Sequence, residues 1–334
     1  MKVIYLVTGA TGYLGNNIVR RLVMEGKRVR VLVLPGDEGA RRIPANVQIY
    51  EGNVLNPEDL ERFFTVPKGT RIIVIHSAGI VSTSWHYDQR IFAVNVLGAR
   101  NVVEQCIWAQ VKKLVYVSSV HALPELPTGQ TITESSEFNP HLITGFYGKT
   151  KAMASQIVMN AARSGKLRAT LVFPSGLYGP FDYATGYVTQ LLLDCAKNRL
   201  PAGIEGGYDF VDVRDVAEGV VLACEKGADG EGYILTNRYV SATEMIRSVQ
   251  EYTSARPVKC TLPVWVAQAF LPFFHLYYMV RRKRPLFTRY SLYTLTSNSR
   301  FSSEKARREL GFTTRPFTET IVDTLNWLRD EGKI

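Results

Sequence analysis

The turn Thr8-Gly9-Ala10-Thr11-Gly12-Tyr13-Leu14-Gly15 limits what this chain can fold into more than any other feature. It follows the apolar run Val3-Ile4-Tyr5-Leu6-Val7 and opens a helical pattern. Glycines placed this way permit a tight strand-to-helix turn and let backbone N–H groups approach a ligand closely. The helix start behind the turn adds free donors and the positive end of a dipole, which suits a pyrophosphate. Gly9, Thr11, Gly12, Tyr13 and Leu14 are therefore candidate cofactor-binding residues.

Further short apolar runs lie at 28–34, 47–51, 71–76 and 113–118, with amphipathic stretches near 13–25, 57–65, 90–109 and 147–163. Buried β-branched runs alternating with helices predict a parallel sheet with right-handed crossovers. The expected fold is α/β, a doubly wound Rossmann sheet forming a dinucleotide-binding core over residues 1–173. Runs at 168–173 and 232–236 are expected to extend it, the second returning from later in the chain. From 174 to 334 the chain is richer in prolines, aromatics and irregular stretches. It reads as a smaller, partly discontinuous substrate lobe.

A hydrophobic share of 46% and a charged share of 21% belong to a globular protein and argue against disorder. The net charge of +10 is spread along the chain, its densest run being Arg281, Arg282, Lys283 and Arg284. No nucleic-acid-binding motif accompanies it, so a nucleic-acid partner is not expected. Cys106, Cys195, Cys224 and Cys260 are widely spaced, which argues against disulfides and a zinc site. No metal is expected. With no signal-peptide pattern ahead of the first strand, the expected location is the cytoplasm.

Leu262 to Val280 is apolar over about one bilayer-spanning length but contains Pro263, Gln268, Pro272 and His275. Two readings stay open. The stretch is either a lid on an apolar pocket, using residues such as Trp265 and Phe270, or, as 262–284, a peripheral membrane contact. A homodimer also stays open.

Tyr147-Gly148-Lys149-Thr150-Lys151 places a phenol and an amine four residues apart, on one face of a helix. A neighbouring ammonium lowers a phenol's pKa, so Tyr147 is expected to act as general acid and base beside Lys151.

These motifs resemble the extended short-chain dehydrogenase/reductase family, the epimerase/dehydratase type. The glycine spacing, Ile75-His76-Ser77-Ala78-Gly79, Asn95 to Asn101, Pro174-Ser175-Gly176-Leu177-Tyr178-Gly179-Pro180 and Phe210 to Ala217 carry the resemblance in order along the chain. It implies an NAD(P)-dependent oxidoreductase in which Ser119, or Ser118 one residue earlier, hydrogen-bonds the substrate oxygen and Tyr147 and Lys151 move protons. It also implies cofactor contacts from Tyr147, Lys151, Ser77, Ala78, Gly79, Pro174, Ser175 and Gly176, and from Leu34, Asn53 and Val54 at the ends of strands two and three. Asn95 is read either as a helix-holding residue or as part of a water chain.

Two positions depart from the family's pattern. Val33 and Leu34 stand where an acid would favour NAD or an arginine NADP, so both cofactors stay open, with Asp37 or Glu38 as ribose partners and Arg41 or Arg42 as phosphate partners. Asn53 replaces the usual aspartate at the adenine. Within the family, Val120-His121 after Ser119 argues against a dehydratase, and Tyr208 replaces an arginine that grips a sugar nucleotide's diphosphate. The C-terminal stretches Thr288 to Ser291 and Phe301 to Gly311 resemble the dihydroflavonol reductase and 3β-hydroxysteroid dehydrogenase group. The expected reaction interconverts a secondary alcohol and a ketone on a bulky hydrophobic substrate. A nucleotide-sugar epimerase is the alternative, and a non-catalytic dinucleotide-sensing protein the alternative of another class. His76, His86 and His121 are expected on loops near the cofactor. Trp85, Tyr178, Phe181, Tyr183 and Tyr187 are candidate pocket aromatics.

Overall fold

The computed structural model describes residues 2–200, 202–258, 260–271 and 288–334. Seven strands form one parallel sheet. They are β1 (Lys2–Thr8), β2 (Val29–Val33), β3 (Gln48–Glu51), β4 (Thr70–His76), β5 (Lys113–Val117), β6 (Ala169–Pro174) and, later in the chain, Glu231–Leu235. The inner runs, such as Val29–Val33 and Lys113–Val117, are buried at every position, as strands covered on both faces must be.

The order across the sheet is Glu231–Leu235, β6, β5, β4, β1, β2, β3. The chain therefore winds outward in both directions from the β1/β4 pair. That reversal opens a crevice at the strands' carboxyl ends, where ligands of such sheets bind.

Helices cover both faces. On one side α1 (Tyr13–Met24) packs Ile18, Val19 and Leu22 against Val7 and Val31. On the other, α2 (Pro57–Phe64) supplies Leu60 and Phe63. It is joined by a long helix made of α3 (Gln89–Phe92), a π turn at Ala93–Leu97 and α4 (Gly98–Trp108). Then comes α5 (Phe146–Arg163), whose Ala152, Ala154, Val158 and Met159 complete that layer.

Later segments alternate between the sheet and a second, smaller cluster. A three-stranded sheet joins β7 (Gly176–Tyr178), β9 (Gly207–Asp212) and β11 (Arg238–Ser241), and a two-stranded one joins β8 (Gly203–Ile204) to β12 (Thr261–Leu262). The strand Glu231–Leu235 is β10. Around them lie α6 (Tyr187–Ala196), α7 (Val213–Lys226), α8 (Ala242–Glu251), α9 (Arg289–Thr296), α10 (Glu304–Leu310) and α11 (Phe317–Asp330). Helix α7 lies beside α1 and joins the main core through Val216, Val220 and Val221. The second core gathers Tyr178, Leu192, Met245, Val249, Ile321 and Leu325.

An ion network ties the two together. Asp212 caps α7, binds Arg214 at 2.7 Å and Arg315 at 3.3 Å, and accepts from Thr320 on α11. Arg214 continues to Asp323 at 2.7 Å.

The 262–280 stretch is only partly described. Helical residues 264–271 set Val264, Ala267 and Leu271 against Ile204, Leu292 and Leu295. Trp265 and Phe270 are 70% and 52% exposed. The expected lid role of these two aromatics thus finds no support in the described part, which backs α9 from behind. Residues 272–287, including the basic run 281–284, lie outside the described residues. Among the described residues, no helix is long and apolar enough to cross a membrane.

Candidate active site

The glycine turn closes the crevice at the β1/β4 junction. Gly9 has φ +75°, and a Cβ there would lie 2.6 Å from the Ala78 backbone nitrogen. A Cβ at Gly15 would drive into the Gly9 carbonyl. Both glycines are fixed by the chain's own packing.

Gly12 is different. Its backbone is extended, at φ −74° and ψ 168°, and an added Cβ would meet only the Gly9 carbonyl, at 3.3 Å. No contact within the chain requires glycine there. Gly12 is also the cap of α1 and carries no side chain to bond the helix's first N–H groups. Open space against uncapped amide donors fits a phosphate.

Neighbouring side chains hold this turn. Thr11 donates to Asp37 at 2.7 Å, and Asp37's other oxygen accepts from Gly39 N–H at 2.8 Å. The carboxylate expected to serve a ribose is thus committed to the turn. Arg41 and Arg42 are both exposed on this short turn, and Arg42 stacks on Tyr183, its guanidinium carbon 4.3 Å from the ring centre. Leu34 is 53% exposed at the end of β2. Tyr13's hydroxyl donates to the Gly179 carbonyl at 2.7 Å, so its side chain braces the loop after β7.

Asn53 spends its carbonyl oxygen on Leu55 N–H at 3.0 Å, which leaves its amide N–H₂ as the group available to a base. Val54 is buried, and its carbonyl accepts from Asn101. After β4, Ser77 donates to the Thr8 carbonyl at 2.7 Å, and Thr8's hydroxyl pairs with His76 at 2.7 Å. Burial, with Lys151 nearby, pushes His76 down to about 3, so its ring is neutral.

Asn95 occupies the π turn and clamps one loop. It accepts from Ile80 N–H at 2.7 Å and donates to the Ile80 carbonyl at 3.1 Å and to Thr150 at 3.0 Å. Of the two readings of Asn95, this geometry is the holding one.

Past β6, Ser175 accepts from Thr236 at 2.9 Å, and Thr236 also bonds buried Asp209. Gly176 runs beside Phe210, whose ring a Cβ would meet at 2.6 Å. Burial pushes the Asp209 carboxyl up to about 7, against hydrogen bonds from Thr236, Ser175 and the Asn237 backbone. The folded chain therefore keeps a proton that the unfolded chain releases near its usual value of ~3.9. That contribution is fully present below the unfolded value and is lost as pH rises through about 7. Asp209→Asn is expected to melt above the wild type at about pH 8 and level with it at about pH 4. Thermal melts at the two pH values check this, and an equal gap at both would count against it.

At the end of β5 the serine pair divides. Ser118 bonds Ser155 inside the core at 2.7 Å. Ser119 accepts from His121 N–H at 3.2 Å, and its hydroxyl is near enough to the Tyr147 phenol to favour the phenolate. Tyr147 stands in the first turn of α5, and Lys151 follows on the same face. The Lys151 amine donates to the Val117 carbonyl at 2.7 Å.

One expectation is corrected here. Burial pushes Tyr147 up to about 12, with the Ser119 hydroxyl pulling the other way. Burial also pushes Lys151 down to about 7. In the chain by itself, desolvation therefore outweighs the lysine's pull on the phenol.

An aromatic cover encloses this corner. His121 lies between two tyrosine hydroxyls, Tyr290 at 3.2 Å and Tyr208 at 3.3 Å, and its ring meets Tyr147 edge-on at 6.1 Å. Burial pushes it down to about 4. Trp85 packs against Tyr290 and Tyr293, both at 5.6 Å. The sequence reading missed Tyr290 and Tyr293, whose only local signal is the Thr288–Ser291 capping box that starts α9.

Of the other expected pocket aromatics, Tyr187 bonds Thr83 at the rim. Tyr178 lies in the second core against Phe210 and Phe317, and Phe181 and Tyr183 pack on Trp327. His86 sits on an exposed loop, its N–H bonded to Ser84.

A cavity of about 680 Å³ lies at the opposite end of the sheet, where α2 and α4 end. Its Lys68, Arg71 and Lys112 complement those helix C-termini, which accounts for the charge. Among the described residues, no group of three or more His, Cys, Asp or Glu is placed to hold a metal.

The model of the NAD dependent epimerase/dehydratase family matches residues 5–236. The chain belongs to that family. It is 30% identical to the "Sterol demethylase protein B" of Methylococcus capsulatus over 98% of this chain and 99% of the relative. It is 28% identical to a 4-hydroxy-2-methyl-3-oxo-4-farnesyl-3,4-dihydroquinoline-1-oxide ketoreductase of Stigmatella aurantiaca, covering 98% and 97%. The crystal structure of gox2253 superposes with a TM-score of 0.84 at 31% identity, over 99% of each chain.

Proposed function

We propose that this member of the family interconverts a secondary alcohol and a ketone on a bulky hydrophobic substrate, using NAD or NADP. The observation that carries the reading is Tyr147 beside Ser119 and against the ring of His121, which Tyr208 and Tyr290 flank in turn. The relatives' names agree with it, one containing a sterol and another a farnesylated ketone.

The glycine turn, the α1 N-terminus and the space at Gly12 fit a dinucleotide, which when bound would give or accept the hydride. This chain's residues supply the rest. Ser119 donates a hydrogen bond to the substrate oxygen and orients it. Tyr147 gives that oxygen a proton on reduction and takes one on oxidation. The Lys151 ammonium stabilises the phenolate left behind, a pull that strengthens when ligand excludes water from the corner. The cover excludes water and offers ring faces to a flat apolar molecule.

An epimerase acting on a sugar nucleotide needs a cation for the diphosphate. The cover residues Trp85, His121, Tyr208, Tyr290 and Tyr293 supply none, because both histidine nitrogens are bonded and the ring is neutral near pH ~7. A panel of hydrophobic ketones and alcohols, followed by reduced-cofactor absorbance, tests the reading. Epimerisation of a sugar nucleotide with no turnover on that panel would overturn it.

Arg41 is the cation that would meet a 2′-phosphate. Arg41→Ala is expected to lower kcat/KM with NADP roughly tenfold, the scale of one charged contact, and to leave NAD within about twofold. Equal losses with both cofactors would remove that role.

A further inference from the structure

Tyr208 on β9 and Tyr290 on α9 bring their hydroxyls to the two ring nitrogens of His121, Nε2 at 3.3 Å and Nδ1 at 3.2 Å. Counting protons across this trio leaves one over. A neutral imidazole has one N–H and one bare nitrogen. The bare nitrogen accepts one phenol's O–H. The N–H donates to the other phenol, whose own proton is then unused. In a charged imidazole both nitrogens donate, and both phenolic protons are unused. In either state at least one O–H is left to donate elsewhere. Among the described residues, His121 is the only hydrogen-bond partner of either hydroxyl.

Both tyrosines are buried, where a donor without an acceptor is destabilising. Burial raises both phenols, so both keep their protons, and the Tyr147 oxygen is close enough to add to the effect on each. The two rings are held in place. A Cβ on Gly145, just ahead of Tyr147, would run into the Tyr290 ring. Tyr208 meets Phe210 and Phe301 edge-on, at 5.9 and 6.2 Å between ring centres. Their hydroxyl ends converge on His121, two residues past Ser119, and the His121 ring meets Tyr147 at 6.1 Å. A hydrogen-bond donor is thus built into an otherwise aromatic cover, beside the group that handles the reacting oxygen.

We propose that the Tyr208–His121–Tyr290 trio is a specificity site that hydrogen-bonds a second oxygen of the substrate, which is then a bulky hydrophobic ketone or alcohol carrying a further oxygen acceptor. The inference rests on the assignment of the Tyr147 corner to alcohol–ketone chemistry, and goes beyond it by naming a group that the substrate carries. Neutral imidazole has two tautomers, so either tyrosine can hold the unused proton.

The test compares ketones matched on one skeleton, such as α-decalone and the decalindiones bearing a second carbonyl on either ring. Reduction is followed by loss of NADH or NADPH absorbance. The readout is kcat/KM for the best dione divided by that for its parent monoketone. In the wild type this ratio should be about ten, the scale of one hydrogen bond to a donor that the monoketone leaves buried and unpaired. The double variant Tyr208→Phe with Tyr290→Phe keeps both rings, and its ratio should fall to within about twofold of one. Should that variant fail to fold, an isotope-edited infrared spectrum of the wild type with oxidised cofactor and a dione labelled at its second carbonyl reads the same contact. That stretch should lie below its position in an apolar solvent, and an unshifted stretch would overturn the proposal.

A wild-type ratio near one would also overturn it, the proton then being taken elsewhere, as by a water in the cavity of about 40 Å³ that the trio lines with Thr144 and Asn298. So would a preference for the dione that survives in the double variant. Each of these results leaves the alcohol–ketone reading standing. If the wild type turns over no ketone of this set or of the wider panel with either cofactor, that reading itself fails and the proposal falls with it.

Discussion

Tyr147→Phe is expected to keep the fold and the cofactor affinity while losing turnover by roughly 10²–10⁴-fold, the range for one acid–base group. Phenylalanine preserves the ring that meets His121 at 6.1 Å and removes only the hydroxyl beside Ser119. The deficit should fall on kcat, since the proton moves in the transition state and not on binding. The free chain makes this a demanding test, because burial alone leaves the phenol near 12. Steady-state kinetics on the best substrate from the ketone panel measure it. A variant turning over at close to the wild-type rate would refute the assignment of Tyr147.

The second large effect is expected at Gly12→Val. Every other demand on this glycine is weak, its backbone being extended and its nearest neighbour for a Cβ lying 3.3 Å away. Valine should therefore fold, and a thermal melt should show little change. Its branched side chain would stand where a diphosphate meets α1. Cofactor affinity should fall about a hundredfold or more, the cost of forcing excess volume into a fitted contact. Tight cofactor binding by a folded Gly12→Val chain would dissociate this turn from the cofactor site.

The main sheet was readable because its signals are local. Runs such as Ile72–Ile75 are wholly apolar, and their short length and β-branched content suit a strand covered on both faces. The turn at Thr8–Gly15 and the Tyr147–Lys151 spacing lie on adjacent elements that fix their own geometry.

The cover over Tyr147 was not readable in that way. Trp85, His121, Tyr208 and Tyr290 come from four separated segments, and none carries a pattern that foretells its neighbours. Hydropathy drew attention to 262–280, yet the described part of that stretch spends Val264, Ala267 and Leu271 on the back of α9. Apolar composition says that a segment will be buried against something, and leaves open what. Desolvation was missed for a related reason. The YxxxK spacing fixes which groups share a face but says nothing of how much water surrounds them, and burial moved both Tyr147 and Lys151.

The π turn at Ala93–Leu97 bears on how this segment is aligned and redesigned. An α-helix advances about 100° per residue, and a single wide turn inserts a phase slip of about one residue. A helical wheel drawn from Ile91 through Cys106 in one register would therefore misplace the second half of the helix. Substitutions meant for its solvent side would land on the packed one. A pairwise alignment that runs ungapped across this turn against a regular helix carries the same offset, and transfers residue roles beyond Asn95 one position out of step.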